Sequence, residues 1–250
     1  MSTTRSFDDL TDIYEAMIDW PKRLANEGPF YRRLFAAIGA RSVLDAACGT
    51  GRHAAMFHSW GLETQGADIS PAMIARAKAE FGEPAGLSWV VRGFADPIAP
   101  GPPLDAVVCV GNSLALAGDP ATVEQAVKRM LAALRPGGVL VVHVLNLWRF
   151  PEGPCQWQKC RQATIHQREV LIVKGVHRNG TAGYVDLVVA DLAEPGKMQT
   201  DSVRFLGLEA GQLQAAAQHA GARQIRLFGG YQDQPYDRQA SPDLLMVADR

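Results

Sequence analysis

Hydrophobic and polar positions divide the chain into stretches with different periods. Residues 7–38 repeat apolar positions at helical spacing, with interruptions expected at Trp20-Pro21 and Gly28-Pro29. Short apolar runs then alternate with amphipathic helical patterns. The apolar runs are Val43–Ala47, Leu87–Arg92, Leu104–Val110 and Val139–Leu145, with a more polar strand expected to end at Asp68; the helical patterns follow at Arg52, Pro71 and residues 120–134. Runs this apolar read as buried parallel strands, and their alternation with helices predicts a sheet covered on both faces.

From about Pro151 the period changes to two. Glu169–Val176, Gly183–Leu192 and Ser202–Leu206 read as strands, and His177-Arg178-Asn179-Gly180 is the clearest hairpin signal. No helical pattern separates them, so a small antiparallel sheet is expected after the fifth strand. Glu209–Ala220 returns to helix and stops at Gly221. Arg223–Phe228 and Leu244–Ala248 are expected to close the sheet as a hairpin. The expected organisation is a helical segment (1–40), an α/β core (41–150), an antiparallel insertion (151–207) and a C-terminal helix with the last two strands (208–250).

Composition changes this picture little. A chain of 250 residues holds one large α/β domain, or a core with an inserted subdomain. The formal net charge of −1 gives no global pull toward nucleic acid or anionic membrane. Met1–Leu10 has no hydrophobic core of a signal peptide and no apolar run is long enough to span a bilayer, so a cytoplasmic protein is expected. Of the four cysteines, Cys48 and Cys109 lie in apolar strand contexts. Cys155 and Cys160 are too far apart for C-x-x-C, so unligated thiols and no metal site are expected.

The chemistry concentrates at Val43-Leu-Asp-Ala-Ala-Cys-Gly-Thr-Gly-Arg-His53, a strand, a glycine turn and a helix start. Glycines let the backbone approach a ligand, and the helix N-terminus offers N–H groups to an anion, which points to a nucleotide-like cofactor. The turn is not a dinucleotide fingerprint, because His53 is too large for the third-glycine position. It also lacks the Lys-Ser/Thr of a P-loop. The pattern D-x-A-C-G-T-G resembles motif I of the class I S-adenosylmethionine (SAM)-dependent methyltransferases. L-R-P-G-G-V-L, at residues 134–140, is similar to a phrase that recurs in the class.

The resemblance implies a Rossmann-like, seven-stranded, mostly parallel sheet with helices on both faces, an N-terminal helical lid and the β insertion. It implies SAM as cofactor and S-adenosylhomocysteine as product. Asp68, about 20 residues after the first glycine, is placed to accept the ribose hydroxyls. Met73 is placed to cover one adenine face. Gly93 stands where the family carries an adenine-binding acid and Phe94 keeps the adjacent aromatic, which leaves that contact to backbone groups or Asp96. Ala46, Gly49, Gly51, Ile69 and Val110 complete the core's share of the cofactor set. Tyr14, Trp20, Arg23 and Tyr31 form either a plain helical cover or a lid. In the lid reading, aromatic faces meet the sulfonium and Arg23 pairs with the methionyl carboxylate.

Within the class, residues 10–250 are similar to the glycine N-methyltransferase-like branch. The resemblance rests on Trp20-Pro-Lys-Arg23, Cys109-Val-Gly-Asn-Ser113, Asn146, and Phe228-Gly-Gly-Tyr231 ahead of Pro235-Tyr-Asp237 and Ser241-Pro-Asp243. It implies that Arg23 holds the cofactor carboxylate and that Gly111-Asn112-Ser113 lies at the active-site mouth. Two departures matter. Leu145 replaces the arginine that grips the glycine carboxylate, and Leu116 replaces a histidine. An apolar side chain cannot neutralise a carboxylate, so glycine is not the expected acceptor.

The expected activity is methyl transfer to a small-molecule acceptor, an amine nitrogen by resemblance, driven by positioning and without an obligatory catalytic residue or metal. Asn112, Asn146, Arg149 and Tyr231, with Tyr14, are the candidates for holding the acceptor. His143 is expected to be a satisfied core histidine. The insertion, with Trp148 and Trp157 near its start, is expected to cover the acceptor pocket. O-methylation of a phenol or hydroxyl compound stays open, as does a non-catalytic SAM-binding protein. His53 argues against a nicotinamide-dependent oxidoreductase. Nucleic-acid methylation is disfavoured by the absence of a basic tract and by Gly111-Asn-Ser-Leu114 where N/D-P-P-Y/F is required. Oligomeric state is left open.

Overall fold

The computed structural model describes residues 11–98, 101–194 and 196–250. The first ten residues of the expected helical segment lie outside them. Two helices open the fold, α1 (Thr11–Met17) and α2 (Trp20–Ala37). Asp19 caps α2 by accepting the Lys22 N–H at 3.2 Å, and Pro21 sits in the first turn, where an N–H is not needed. The second expected interruption does not occur: Pro29 lies inside α2. Glu27, Gly28, Phe30, Tyr31 and Phe35 are buried around it. Burying each large apolar side chain contributes about 1.5–3 kcal/mol, enough in sum to offset the ~3 kcal/mol cost of an internal proline.

The core follows as β1 (Ser42–Asp45), α3 (Arg52–Ser59), β2 (Glu63–Asp68), α4 (Pro71–Phe81), β3 (Leu87–Val91), β4 (Leu104–Cys109), α5 (Pro120–Ala133) and β5 (Leu134–Leu145). The last strand starts earlier than expected. It takes Pro136-Gly137-Gly138 into the strand through a register irregularity against β4, with Gly137 at φ +77°. The insertion is β6 (Gln156–Ile165), β7 (Arg168–Asn179), β8 (Ala182–Asp191) and β9 (Met198–Leu206). Three of these strands correspond to the alternating runs. The fourth, β6, escaped because it is an edge strand exposed along most of its length, so no buried face is written into Gln-Trp-Gln-Lys-Cys-Arg-Gln. The chain ends with α6 (Ala210–His219), β10 (Gln224–Phe228) and β11 (Asp243–Asp249).

The large sheet has seven strands in the order β10-β11-β5-β4-β1-β2-β3. β11 runs antiparallel to both neighbours, and the remaining pairs are parallel. β10 and β11 pair as a hairpin does, although residues 229–242 intervene and β11 takes the inner place. The inserted sheet has four strands in sequence order.

Both faces of the large sheet are covered, which explains its unbroken apolar runs. Val107 and Cys109 pack toward α5 and α6, whereas Ala106 and Val108 of the same strand pack toward Phe30, Tyr31, Phe35 and Phe57. Ile13 of α1 joins Val170, Ile172 and Leu187 of the inserted sheet in a smaller cluster. The N-terminal helices therefore touch both sheets. Among the described residues, no helix is long and apolar enough to cross a membrane.

Candidate active site

The chain adds β2 and β3 to one side of β1 and β4 and β5 to the other, and ligands bind at the carboxyl ends of strands where such a reversal occurs. A cavity of about 460 Å³ opens there. Eight residues expected to hold cofactor line it: Tyr14, Ala46, Gly49, Asp68, Ile69, Met73, Gly93 and Phe94. Gly111 and Ser113 of the expected mouth line it too, and the sequence reading missed Arg92, Ala117, Gly118 and Thr122, which also form its walls. Arg92 follows β3, Ala117 and Gly118 lie in the connection ahead of α5 and Thr122 in the first turn of α5, none with a motif of its own.

The glycine turn is held from three sides. Ala46 N–H donates to the Val108 carbonyl, Cys48 N–H to the Ala67 carbonyl and Gly49 N–H to Asp68 Oδ2, each at 2.8 Å. Ser70 N–H donates to Asp68 Oδ1 at 2.9 Å. Asp68 is thus fixed by the backbone at both oxygens. Ser70 caps α4 by accepting the Met73 N–H, which fixes Met73 one turn into the helix. Gly51 caps α3 at φ +86° and a Cβ there would lie 2.5 Å from the Trp89 ring, so this glycine makes room for packing rather than lining the cavity. Beyond β3, Asp96 accepts the Gly93 N–H at 2.8 Å.

Asp45 was missed as a site residue although it stands inside the quoted motif. It is fully buried at the end of β1, and neither carboxylate oxygen has a well-formed hydrogen bond. Burial pushes its carboxyl up to about 7, against the pull of the Ala47 N–H. A buried acid one residue before the cavity-lining Ala46 and Ala47 suits a cationic ligand, and Asp68 on the cavity wall suits a ribose. SAM carries both, so the residues present fit it.

The helical cover is tied to the glycine turn through Glu15, which accepts from the Thr50 hydroxyl and pairs with Arg52 at 2.8 Å. Tyr14 lies over the turn: a Cβ on Gly49 would meet its ring at 3.6 Å. Trp20 and Val110 are buried behind the walls, and Trp20 stands edge-on to Tyr14 and His53. Arg23 donates through Nε to Glu27 at 2.7 Å and carries its Nη2 up to Gly111. Glu27 also meets His53 Nε2 at 2.7 Å. Burial alone would raise the Glu27 carboxyl; His53 and Arg23 outweigh it and hold it at about 2.

The expected acceptor residues separate. Asn112 adopts φ +71° and accepts the Leu145 N–H at 3.0 Å, which locks the turn after β4. Tyr231 is buried against Phe30, Tyr31 and His143. Asn146 spends its amide on the carbonyls of Arg238 and Ser241 and its oxygen on Trp148 N–H and the Tyr236 hydroxyl, which pins the C-terminal loop. Arg149 is exposed and lies over the Phe150 ring. His143 accepts the Gly111 N–H at Nδ1, 3.1 Å away, and Asp243 stands 3.1 Å from its Nε2.

Residues 43–138, which carry this turn and most of these walls, match a family model described as a methyltransferase domain. By this match the core is similar to a methyltransferase domain. The chain has 35% identity over 152 residues with glycine/sarcosine N-methyltransferase of Parasynechococcus marenigrum, a match covering 58% of this chain and 52% of the relative. The chain spans about half the length of that curated relative. Among solved structures, a sugar N-methyltransferase from a Streptoalloteichus species has 25% identity and a TM-score of 0.75, covering 100% of this chain and 94% of that one. A SAM-bound amino pentose methyltransferase from Micromonospora echinaspora shares the fold at 23% identity and TM-score 0.74, covering both chains fully (100% and 100%). The matched region and the cavity thus coincide.

Proposed function

We propose that this protein transfers the methyl group of SAM to the nitrogen of a small-molecule amine. The observation that carries the reading is Asp68 on the cavity wall, fixed by two backbone N–H groups, with Asp45 buried without a well-formed hydrogen bond directly behind the lining residues Ala46 and Ala47. In this reading Asp45 faces the cationic end of the cofactor and Asp68 the ribose. Arg23 takes the carboxylate, and Ile69, Met73 and Phe94 enclose the adenine. Bound SAM supplies a methyl group on a positively charged sulfur. The chain's own task is to hold the acceptor in line and keep water out, through the α1–α2 lid and the covering insertion; positioning of this kind is worth roughly 7–11 kcal/mol of a barrier.

Nitrogen is favoured over oxygen on two grounds. Relatives similar to this chain carry N-methyltransferase names. In addition, His143 already has Nδ1 engaged by the Gly111 N–H. A neutral amine needs no base to expose its lone pair, whereas a hydroxyl gains from one. Leu116 on the cavity wall and Leu145 beside Asn112 offer nothing to a carboxylate, so the acceptor differs from glycine in what it presents there.

Calorimetry with SAM and S-adenosylhomocysteine tests the cofactor assignment. Micromolar binding by the wild type, weakened at least about tenfold in Asp68→Ala and Arg23→Ala (about 1.4 kcal/mol each), is the expected result. No binding by folded wild type overturns it. Labelled SAM with a panel of amines and phenols then separates nitrogen from oxygen transfer. Tight binding without turnover on any of them favours a non-catalytic SAM-binding protein.

A further inference from the structure

The inserted sheet carries a cluster that methyl transfer does not use. Cys155 precedes β6, His177 lies on β7 and Asp186 on β8, and one ligand atom from each lies within 4.8 Å of the other two. Strand alternation puts them on the outer face. Asp186 stands opposite Gly175 and His177 opposite Tyr184, whereas Ile172 and Leu187, of the other parity, pack inward with Ile13.

The surroundings are shaped for the three side chains. A Cβ at Gly175 would fall 2.2 Å from Cys155 Sγ, so only glycine there lets the thiol lie across the strand. Asp186 accepts from the Ser202 hydroxyl through Oδ1 at 2.7 Å and meets His177 Nδ1 through Oδ2 at 2.5 Å. The His177 ring is stacked on Tyr184, 4.6 Å between centroids and 4° from parallel. All three residues are half-buried, with a path to solvent. The carboxylate also takes the thiol's hydrogen bond, so it sits between Cys155 and His177. That order is not the one in which an imidazole activates a thiol as nucleophile.

A thiolate, an imidazole and a carboxylate are a donor set for a zinc-type ion. Ordinary bond lengths around a tetrahedral ion hold such donors about 3.4–3.6 Å apart. The cluster reaches that spacing when Oδ2 draws back by about 1 Å from Nδ1 and the thiol turns in. We propose that Cys155, His177 and Asp186 form a zinc-type metal site that clamps the segment entering β6 onto β7 and β8. The thiol releases its proton to solvent and the imidazole keeps its proton on Nε2, so Sγ, Nδ1 and Oδ2 each present a lone pair. Water completes the fourth position. Because the ligands come from three separate segments, the ion acts as a staple on the sheet that frames the acceptor side. Without the ion the thiol stays protonated, since burial and the Asp186 carboxylate push it up to about 11.

Chelator-treated, reduced full-length protein titrated with cobalt(II) tests the site. The expected result is one equivalent bound with a thiolate-to-cobalt charge-transfer band, displaced by zinc, and a melting temperature raised by zinc. The band should vanish in Cys155→Ser and persist in Cys160→Ser. Ser202→Ala, with unchanged circular dichroism, should weaken binding about tenfold through the freed carboxylate. No band in wild type, a band that survives Cys155→Ser, or one lost in Cys160→Ser overturns the proposal.

Discussion

The parallel core and the inserted sheet use strands in opposite ways. In β4 every residue from Asp105 to Cys109 is buried, and alternate residues serve two different cores. In β6 the first seven residues are exposed. Where both faces are covered, side chains are chosen for fit. Function then falls to what lies just beyond the strand ends: turns, backbone N–H groups and a few short acids. Where one face meets solvent, polar and reactive side chains are free to meet across strands, as Cys155, His177 and Asp186 do. The first arrangement gathers its site around one short continuous stretch, the glycine turn, with further walls from other strand ends. The second spreads it over distant segments.

The sharpest way to break the core is at Gly51. A valine there must adopt a left-handed conformation, at about 1–2 kcal/mol, and push into the Trp89 ring, at about 1–3 kcal/mol. That ring cannot yield easily, because its Nε1–H is bound to the Gly82 carbonyl at 2.7 Å. Gly51→Val is therefore expected to lose about 2–5 kcal/mol in urea unfolding. A loss under 1 kcal/mol would show that the turn is looser than its packing indicates.

Asp45 separates site from scaffold by pH. Its folded carboxyl is raised from 3.8 to about 7, so between these values the native state holds a proton that the unfolded chain has released. Stability of the ligand-free protein should then fall as pH rises from about 4 through about 7, by about 4 kcal/mol for this group. Asp45→Asn should remove that slope, and SAM should offset it in the wild type. Denaturant melts at pH 5 and pH 8 with and without SAM check the sign; equal slopes in wild type and variant would refute it.

The inserted sheet has its own tight glycine. A Cβ on Gly183 would fall 2.2 Å from the buried Phe205 ring, so Gly183→Ala is expected to cost about 1–3 kcal/mol by overpacking. Amide exchange should show the loss in β7–β9 and leave β1–β5 unchanged. Spread of the change into β4 would mean that the two sheets unfold together. The smallest effect is expected at Arg168, whose half-exposed guanidinium pairs with Asp191 and Glu194 at the insertion's rim. Arg168→Ala should shift stability by no more than about 1 kcal/mol, and less in high salt.

The alternation of strand and helix, the Val43–His53 stretch, the acid at Asp68 and the Ser70-Pro71 helix start were all legible without coordinates. Each depends on neighbours within a few residues, where period, turn chemistry and capping act. Four points were settled only by folding: the continuity of α2 through Pro29, the strand character of β6, the buried state of Asp45 and the commitment of Asn146 to the C-terminal loop. A proline inside a helix is tolerated when the burial around it outweighs its cost, and no local pattern reports that sum. An exposed edge strand carries no buried face to read. A carboxyl's ionisation and an amide's partners depend on groups distant in sequence. The sequence thus determined most of the elements and the glycine turn, because their causes are short-range. The tertiary structure decided which polar groups stay available for chemistry, because availability is what remains after every distant neighbour has taken its hydrogen bonds.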